Sequence, residues 1–409
     1  MTHRRRFLKL ASTAAAAAAV GPAAERKKIA AVITEYGPDS HADLRIGRLL
    51  NGYEFNGQKI EPRLHLVSMY TDQVPPNDLS RPLAAKHGFK ICPTVAEALT
   101  LGTGKLAVDG VSLIGEHGRY PDNEKGQKLY PRYELYKQVI DVFRLSGRSV
   151  PVFFDKHFSY DWTKAKWMYD QHRELGFPLM AGSGQPYAFR KPPLELDLDT
   201  PIERAVLYHY GPKESYGFHS LEMLQCMVER RKGGETGLAS VQCLEGPEVW
   251  RWTSQNAWAS RLLDQAVARS GSRKPGTMQD LVKRPLVFLL QYRDGLQAAV
   301  YGLDGYLRDA GFAAAIPGKA EIPSTEFWSQ PGRPWSHCSG HVYYMEQLLL
   351  TGRMPCAVER TLLTTGALAA LMDSSYLGNK RIDTPHLAIA YRARKESLFN
   401  RGPVPPLAR

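Results

Sequence analysis

The feature that most constrains this chain is the alternation, between residues 28 and 155, of short apolar runs with helix-patterned segments. Lys28–Ile33, Leu64–Tyr70, Lys90–Cys92, Val108–Ile114 and Val150–Phe154 are short and apolar, the pattern of strands buried in a sheet. Between them, residues 40–50, Leu79–His87, Thr94–Leu99 and Arg132–Leu145 carry apolar residues at helical spacing, and Thr94 with Glu97 forms a capping-box pattern. Strands joined by helices can pair in parallel, because the helix spans the crossover that a tight turn cannot. This half of the chain is therefore expected to be α/β, a doubly wound parallel sheet.

The second half changes character. Helical segments at Ser220–Arg230 and Glu359–Met372 mix with strand-like runs at Ala205–His209, Ala239–Cys243, Leu286–Tyr292 and Gln297–Leu303. That mixture predicts an α+β domain with an open, largely antiparallel sheet, a surface suited to association of copies into a homo-oligomer. Trp250, Trp252, Trp258, Trp328 and Trp335 are expected to pack this domain, and the charges of Glu359 and Arg360 to pair across it. Residues 391–409 form a basic, proline-containing tail, with Arg401–Arg409 expected to be disordered.

The N-terminus is an address. Arg4-Arg5-Arg6-Phe7-Leu8-Lys9 precedes an alanine-rich apolar run from Leu10 to Val20, and Gly21-Pro22-Ala23-Ala24 supplies small residues for a signal peptidase. This is a twin-arginine signal over residues 1–24, implying the twin-arginine translocase as partner, a periplasmic or extracytoplasmic destination and no stable membrane anchor after cleavage. The route carries folded proteins, often loaded with a cofactor. The formal net charge of +12 is concentrated at the ends: a net four in residues 1–24 and a net four in 391–409. The body is close to balanced and lacks a basic–aromatic stripe, which argues against nucleic acid. The five cysteines have no CxxC spacing and an odd count, so disulfides are not what holds the fold.

Three segments then carry a resemblance. They are Val108-Asp109-Gly110-Val111, then Gly147-Arg148-Ser149-Val150-Pro151-Val152-Phe153-Phe154-Asp155-Lys156, then Tyr216-Gly217-Phe218-His219-Ser220-Leu221-Glu222-Met223-Leu224. In order and spacing they resemble the Gfo/Idh/MocA family of sugar- and polyol-directed oxidoreductases. The resemblance covers most of residues 27–390. It implies a Rossmann-like domain over residues 25–158, a substrate and oligomerisation domain over 159–390, and NAD or NADP as cofactor. It also implies that Lys156 lies between nicotinamide and substrate, with Asp155 orienting or ion-pairing its ammonium. His219 becomes the general base, a task an imidazole suits.

The first βα turn departs from that family. Where G-x-G-x-x-G is expected stands Thr34-Glu35-Tyr36-Gly37-Pro38-Asp39, so that Thr34, Tyr36 and Gly37 are the residues offered to a cofactor. Side chains fill all three glycine positions, and Glu35 and Asp39 add charge that repels a pyrophosphate. Asp72 falls near the end of the second strand, where an acid would hold the ribose. Beyond the fourth strand, Glu116, His117, Tyr130 and Arg132 suit a sugar or carboxylate substrate, as does His157 after the fifth. His41, Glu116, His117 and His157 are also weak candidates for a metal, without HxH or HExxH spacing. Three functions remain open: an exported oxidoreductase of a carbohydrate-like substrate with retained NAD(P); a non-redox lyase, hydrolase or epimerase-like sugar enzyme, with or without metal; and a non-catalytic sugar-binding protein.

Overall fold

The computed structural model describes residues 26–405; the twin-arginine signal expected at residues 1–24 lies outside the described residues. The first sheet has six strands: β1 (Lys27–Glu35), β2 (Leu64–Gln73), β3 (Lys90–Cys92), β4 (Gly110–Ile114), β5 (Val152–Asp155) and β6 (Leu179–Gly182). They run in the order β3-β2-β1-β4-β5-β6, every neighbouring pair parallel. Strand order reverses between β1 and β4, and such a switch point opens a crevice at the carboxyl ends of the strands.

The side-chain alternation of a strand separates two cores. Ala30 and Val32 of β1 face Val95, Leu99, Val139 and Phe143, while Ile29, Ala31 and Ile33 face Ile46, Leu49, Val342 and Leu349. The first face is covered by α3 (Val95–Thr100), α4 (Arg132–Ser146) and α5 (Trp162–Leu175), and the second by α1 (His41–Asn51), with α2 (Ser80–His87) beside the β3 edge. The cap expected at Thr94 forms, accepting from the Glu97 amide at the start of α3, and Ser40 likewise accepts from the Asp43 amide at the start of α1.

The boundary expected at residue 158 is displaced. The first sheet continues to Gly182, because α5 crosses over and delivers β6 alongside β5. A helix from the far end of the chain, numbered α10 below, also closes the second face.

The second sheet has eight strands: β7 (Phe189–Lys191), β8 (Arg204–His209), β9 (Leu238–Glu245), β10 (Leu286–Tyr292), β11 (Gln297–Gly302), β12 (Ala310–Ala315), β13 (Ser324–Trp328) and β14 (Ile382–Asp383). Their order is β14-β9-β10-β11-β8-β12-β13-β7, antiparallel except for the β8–β11 pair. This is the open, largely antiparallel sheet expected. Helices α6 (Ser215–Val228) and α11 (Glu359–Tyr376) cover one face; α7 (Pro247–Gln255), α8 (Ala257–Val267) and α9 (Met278–Leu281) lie on the other with Trp250, Trp252 and Trp258. Helix α10 (Ser339–Thr351) is the one that returns to the first sheet, seating Val342, Met345, Leu348 and Leu349. Arg360 pairs with Glu229 at 2.8 and 2.6 Å, joining α11 to the end of α6.

Two expectations are corrected. Trp335 does not pack the second domain: its indole donates to Asp39 at 2.8 Å, beside α1. The disorder expected from Arg401 does not hold for its described start, since the Arg401 amide donates to Asn56 at 2.7 Å and the Gly402 amide to Asn400 at 3.0 Å, and upstream Tyr391 bridges Glu235 and Phe399 is buried. The Phe399 ring lies between the guanidinium groups of Arg190 and Arg401, which gives this basic segment an apolar anchor. All five cysteines are free, and no described helix is long and apolar enough to cross a membrane.

Candidate functional site

The carboxyl ends of β4, β5 and β6 meet the start of α6 where the two sheets adjoin. Asp155 ends β5 and Lys156 follows it with φ +76°, its amide and carbonyl paired with Gly182 at 3.0 and 3.1 Å. Neighbouring side chains at a strand end diverge. Asp155 accordingly does not pair with the Lys156 ammonium, as the sequence suggests; it accepts from His41 Nδ1 and, at 3.1 Å, from Arg45.

Lys156 is 2 % exposed and reaches three groups: Glu116 Oε1 at 3.3 Å, the Ser215 carbonyl at 3.2 Å and His219 Nε2 at 2.9 Å. The other ring nitrogen of His219 lies 2.6 Å from the Ser183 hydroxyl. Ser183 thus braces the ring from the side opposite Lys156. The second oxygen of Glu116 pairs with Arg132, whose Nε donates to the Gly115 carbonyl at 2.8 Å and whose Nη1 donates to His157 Nε2 at 2.8 Å. Behind His157 stands Glu214, its Oε1 3.2 Å from the same nitrogen.

Burial and charge compete here. Burial pushes the Glu116 carboxyl upward, but Lys156 and Arg132 outweigh it and hold the group well below the carboxylate range. Asp155 behaves likewise: burial opposes ionisation, while Arg45 and His41 bring its pKa far down. Burial and then Lys156 hold His219 well below the imidazole range, and burial and then His41 push His117 to about 4. Burial and then Arg132 bring His157 to about 4 as well. The result is two ionised carboxylates amid neutral imidazoles, with the Lys156 ammonium between Glu116 and His219.

His41, His117 and His219 converge on the partly exposed mouth: the His41 ring lies 5.3 Å from that of His117 and 6.2 Å from that of His219. Tyr130 stacks under the Arg132 guanidinium, 4.8 Å away, and Tyr216 stands edge-on to His219. Arg132 and His157, expected at the substrate, are only 2 % and 1 % exposed and brace Glu116 from behind. Among the described residues no three His, Cys, Asp or Glu side chains are arranged to hold a metal ion. His41 and Glu116 are committed to Asp155 and to cations, and His157 is turned inward, so the suggested ligand set does not form.

The cofactor candidates divide. Thr34 is buried and its hydroxyl donates to the Glu116 carbonyl at 2.7 Å; Tyr36 is buried in the core beneath α1. Neither side chain faces a ligand: Thr34 turns toward the end of β4, and Tyr36, past the end of β1, joins the core of the opposite face with Ile33 and Ile46. The Gly37 carbonyl accepts from the Ser40 amide at 3.2 Å. Asp72 ends β2 exposed, as a ribose acceptor must be, and accepts from Tyr70 at 2.9 Å and Tyr120 at 2.6 Å.

The fit to a dinucleotide is therefore uneven. Lys156 and His219 meet, and Asp72 is exposed where the resemblance places a ribose. The phosphate end is built from acids: Asp39 and Asp43 stand at the start of α1, both held by Arg333 at 2.9 and 3.1 Å, and the Asp39 amide donates to Asp43 at 3.0 Å. Residues 116–120 also run from β4 across the end of β1, where Gln73 holds the Arg119 amide at 2.8 Å.

Sequence reasoning missed Arg45, Ser183 and the pairing of His41. Ser183 had a signal, the apolar run Leu179–Ala181 ended by Gly182, which is β6. Arg45 lies four residues after His41, on the same helical face.

Neither a family model nor a curated protein matches the chain. Solved structures do, at the level of fold. GenD2 from gentamicin A biosynthesis, solved in complex with NAD, aligns with a TM-score of 0.56 at 15% identity, over 88% of this chain and 96% of its own. Myo-inositol 2-dehydrogenase from Lactobacillus plantarum aligns at 0.54 and 11%, over 87% and 98%. Apo scyllo-inositol dehydrogenase from Lactobacillus casei aligns at 0.53 and 11%, over 88% and 98%.

Proposed function

We propose that this chain, which carries the two-domain fold of the Gfo/Idh/MocA oxidoreductases, is an exported oxidoreductase of a sugar- or polyol-like substrate with a retained NAD or NADP. The observation that carries the reading is the contact of Lys156 with His219, 2.9 Å, at the junction of the two sheets. The names of the structural neighbours, inositol dehydrogenases and an NAD complex, support a hydroxyl-bearing substrate and a nicotinamide cofactor. When bound, the nicotinamide supplies the hydride acceptor. The chain's own residues do the rest. The Lys156 ammonium, fixed by Glu116, the Ser215 carbonyl and His219, supplies the positive charge beside which the substrate hydroxyl is placed, while His117, Tyr130 and Tyr216 line the opening with groups suited to further hydroxyls. Asp72 receives the cofactor ribose.

Export is supported by Arg4-Arg5-Arg6-Phe7-Leu8-Lys9. Free dinucleotide is scarce outside the cytoplasm, so the cofactor has to travel with the folded protein. The test follows: protein purified without added nucleotide is denatured, and its supernatant is analysed by mass spectrometry for NAD(H) and NADP(H). Near-stoichiometric dinucleotide is expected. Its absence, together with no heat of NAD(P) binding by calorimetry, overturns the redox reading.

A second reading, a non-redox sugar-processing enzyme of lyase, hydrolase or epimerase type, is favoured by one observation. The carboxylates of Asp39 and Asp43 and the loop 116–120 occupy the phosphate end of the crevice. That second enzyme would use the same acid–base cluster without a dinucleotide.

A further inference from the structure

Three imidazoles share the mouth of the cleft, and their ring nitrogens are not equally free. His219 has both occupied, by Ser183 and by the Lys156 ammonium. Because the ammonium is donor-only, its proton points at the Nε2 lone pair, leaving that nitrogen no vacancy for a substrate proton. His117 has an unpartnered, buried Nε2 and no carboxylate in hydrogen-bond contact among the described residues. His41 differs from both. Its Nδ1 is bound to Asp155, its Nε2 has no partner among the described residues, and the side chain is 16% exposed.

The support for His41 is built in. Ser40 caps α1 and fixes the first turn, so His41 and Arg45, four residues apart, present one face of the helix to Asp155. Asp155 is 1 % exposed and bonded from both sides, with His341 3.8 Å behind it. An ionised carboxylate against Nδ1 selects the tautomer that carries its proton there, and so directs the Nε2 lone pair away from Asp155. A carboxylate behind Nδ1 and a bare Nε2 facing the cleft is the arrangement by which an orienting acid presents a catalytic histidine.

We propose that His41, positioned by Asp155, is the proton-accepting group of this cleft, and that His219, braced by Ser183, serves to hold the Lys156 ammonium in place. The inference rests on reading the cleft as an acid–base site for a hydroxylated substrate. In the step, the substrate O–H bond breaks, the His41 Nε2–H bond forms, and the electron pair stays on oxygen. His41 is the proton-accepting group; Asp155 is a positioning residue, acting through it.

The test needs no known substrate. Diethylpyrocarbonate, which acylates unprotonated imidazole nitrogens, is applied to the intact mature protein at pH 7, and modified peptides are quantified by mass spectrometry over time. His41 is expected to react at least about tenfold faster than His219, whose nitrogens are both engaged. Equal rates, or a faster His219, overturn the assignment. In protein labelled with 15N-histidine, long-range 1H–15N spectra are expected to report His41 with the proton on Nδ1 and a bare Nε2; the opposite tautomer overturns the role of Asp155. Asp155→Asn is expected to shift that spectral signature, whereas loss of fold in this variant leaves the wild-type measurements decisive. Absence of bound dinucleotide, which sinks the redox reading, changes neither readout.

Discussion

Glu116 and Lys156 form an ion pair of 3.3 Å in which neither side chain is as much as a tenth exposed. Glu116 also binds Arg132, so one carboxylate offsets two buried cations. Replacing it with a neutral isostere leaves both without their charge partner. Glu116→Gln is expected to destabilise the fold by about 3–5 kcal/mol in urea unfolding, since removing one member of a buried network strands the others. A loss under 1 kcal/mol would mean that the network is hydrated and loosely held.

Gly182→Ala is expected to damage the same region without touching a charge. Gly182 has φ +116°, and a Cβ there would stand 2.6 Å from both Glu222 Oε2 and Thr361 Oγ1. Its backbone is paired with Lys156, so a shift of β6 moves the lysine. Backbone strain and overpacking together predict a loss of about 2–4 kcal/mol. An unchanged denaturation midpoint would contradict the close packing of β6 against α6 and α11.

Acid is expected to destabilise the protein from near pH 6.5 downward. Burial, the leading cause in each, lowers His117, His157 and His209 to about 4 and His341 to about 3, from an ordinary value of 6.5. Between pH 6.5 and 4 the unfolded chain binds protons at these positions that the folded chain does not, so stability falls as pH falls. Glu116 and Asp155, whose pKa values are depressed, extend the loss below the carboxylate range. Glu222 is raised and Glu326 is pushed up to about 7, both chiefly by burial, and these two act in the opposite sense. The four histidines outnumber them. Urea midpoints measured from pH 7.5 to 4 check the slope, and a flat profile would mean that these imidazoles are wetter than their burial implies.

Delivery is expected to depend on the arginines. With Arg4, Arg5 and Arg6 replaced by lysines, the protein should remain unprocessed in the cytoplasm, as fractionation and intact mass would record. Processed triple variant in the periplasm would remove the twin-arginine assignment.

What the sequence by itself determined is local. The period of the apolar residues identified β1, β2, β4, β5 and the helices between them, and the cap at Thr94 followed from short-range chemistry. Because parallel strands joined by helices align their carboxyl ends, Glu116, His117, His157 and His41 were legible as neighbours. The resemblance added His219, which does meet Lys156. Partner choice was not legible. Asp155 and Lys156 are adjacent in the chain, yet the first binds His41 and Arg45, more than a hundred residues earlier, and the second binds Glu116 and His219. The divergence comes from the left-handed turn at Lys156 and from where α1 and α6 dock, which no local pattern encodes. The return of α10 onto the first sheet and the docking of Phe399 belong to the same class. A periodicity states which face of an element seeks burial, and the tertiary structure alone decides against what it is buried.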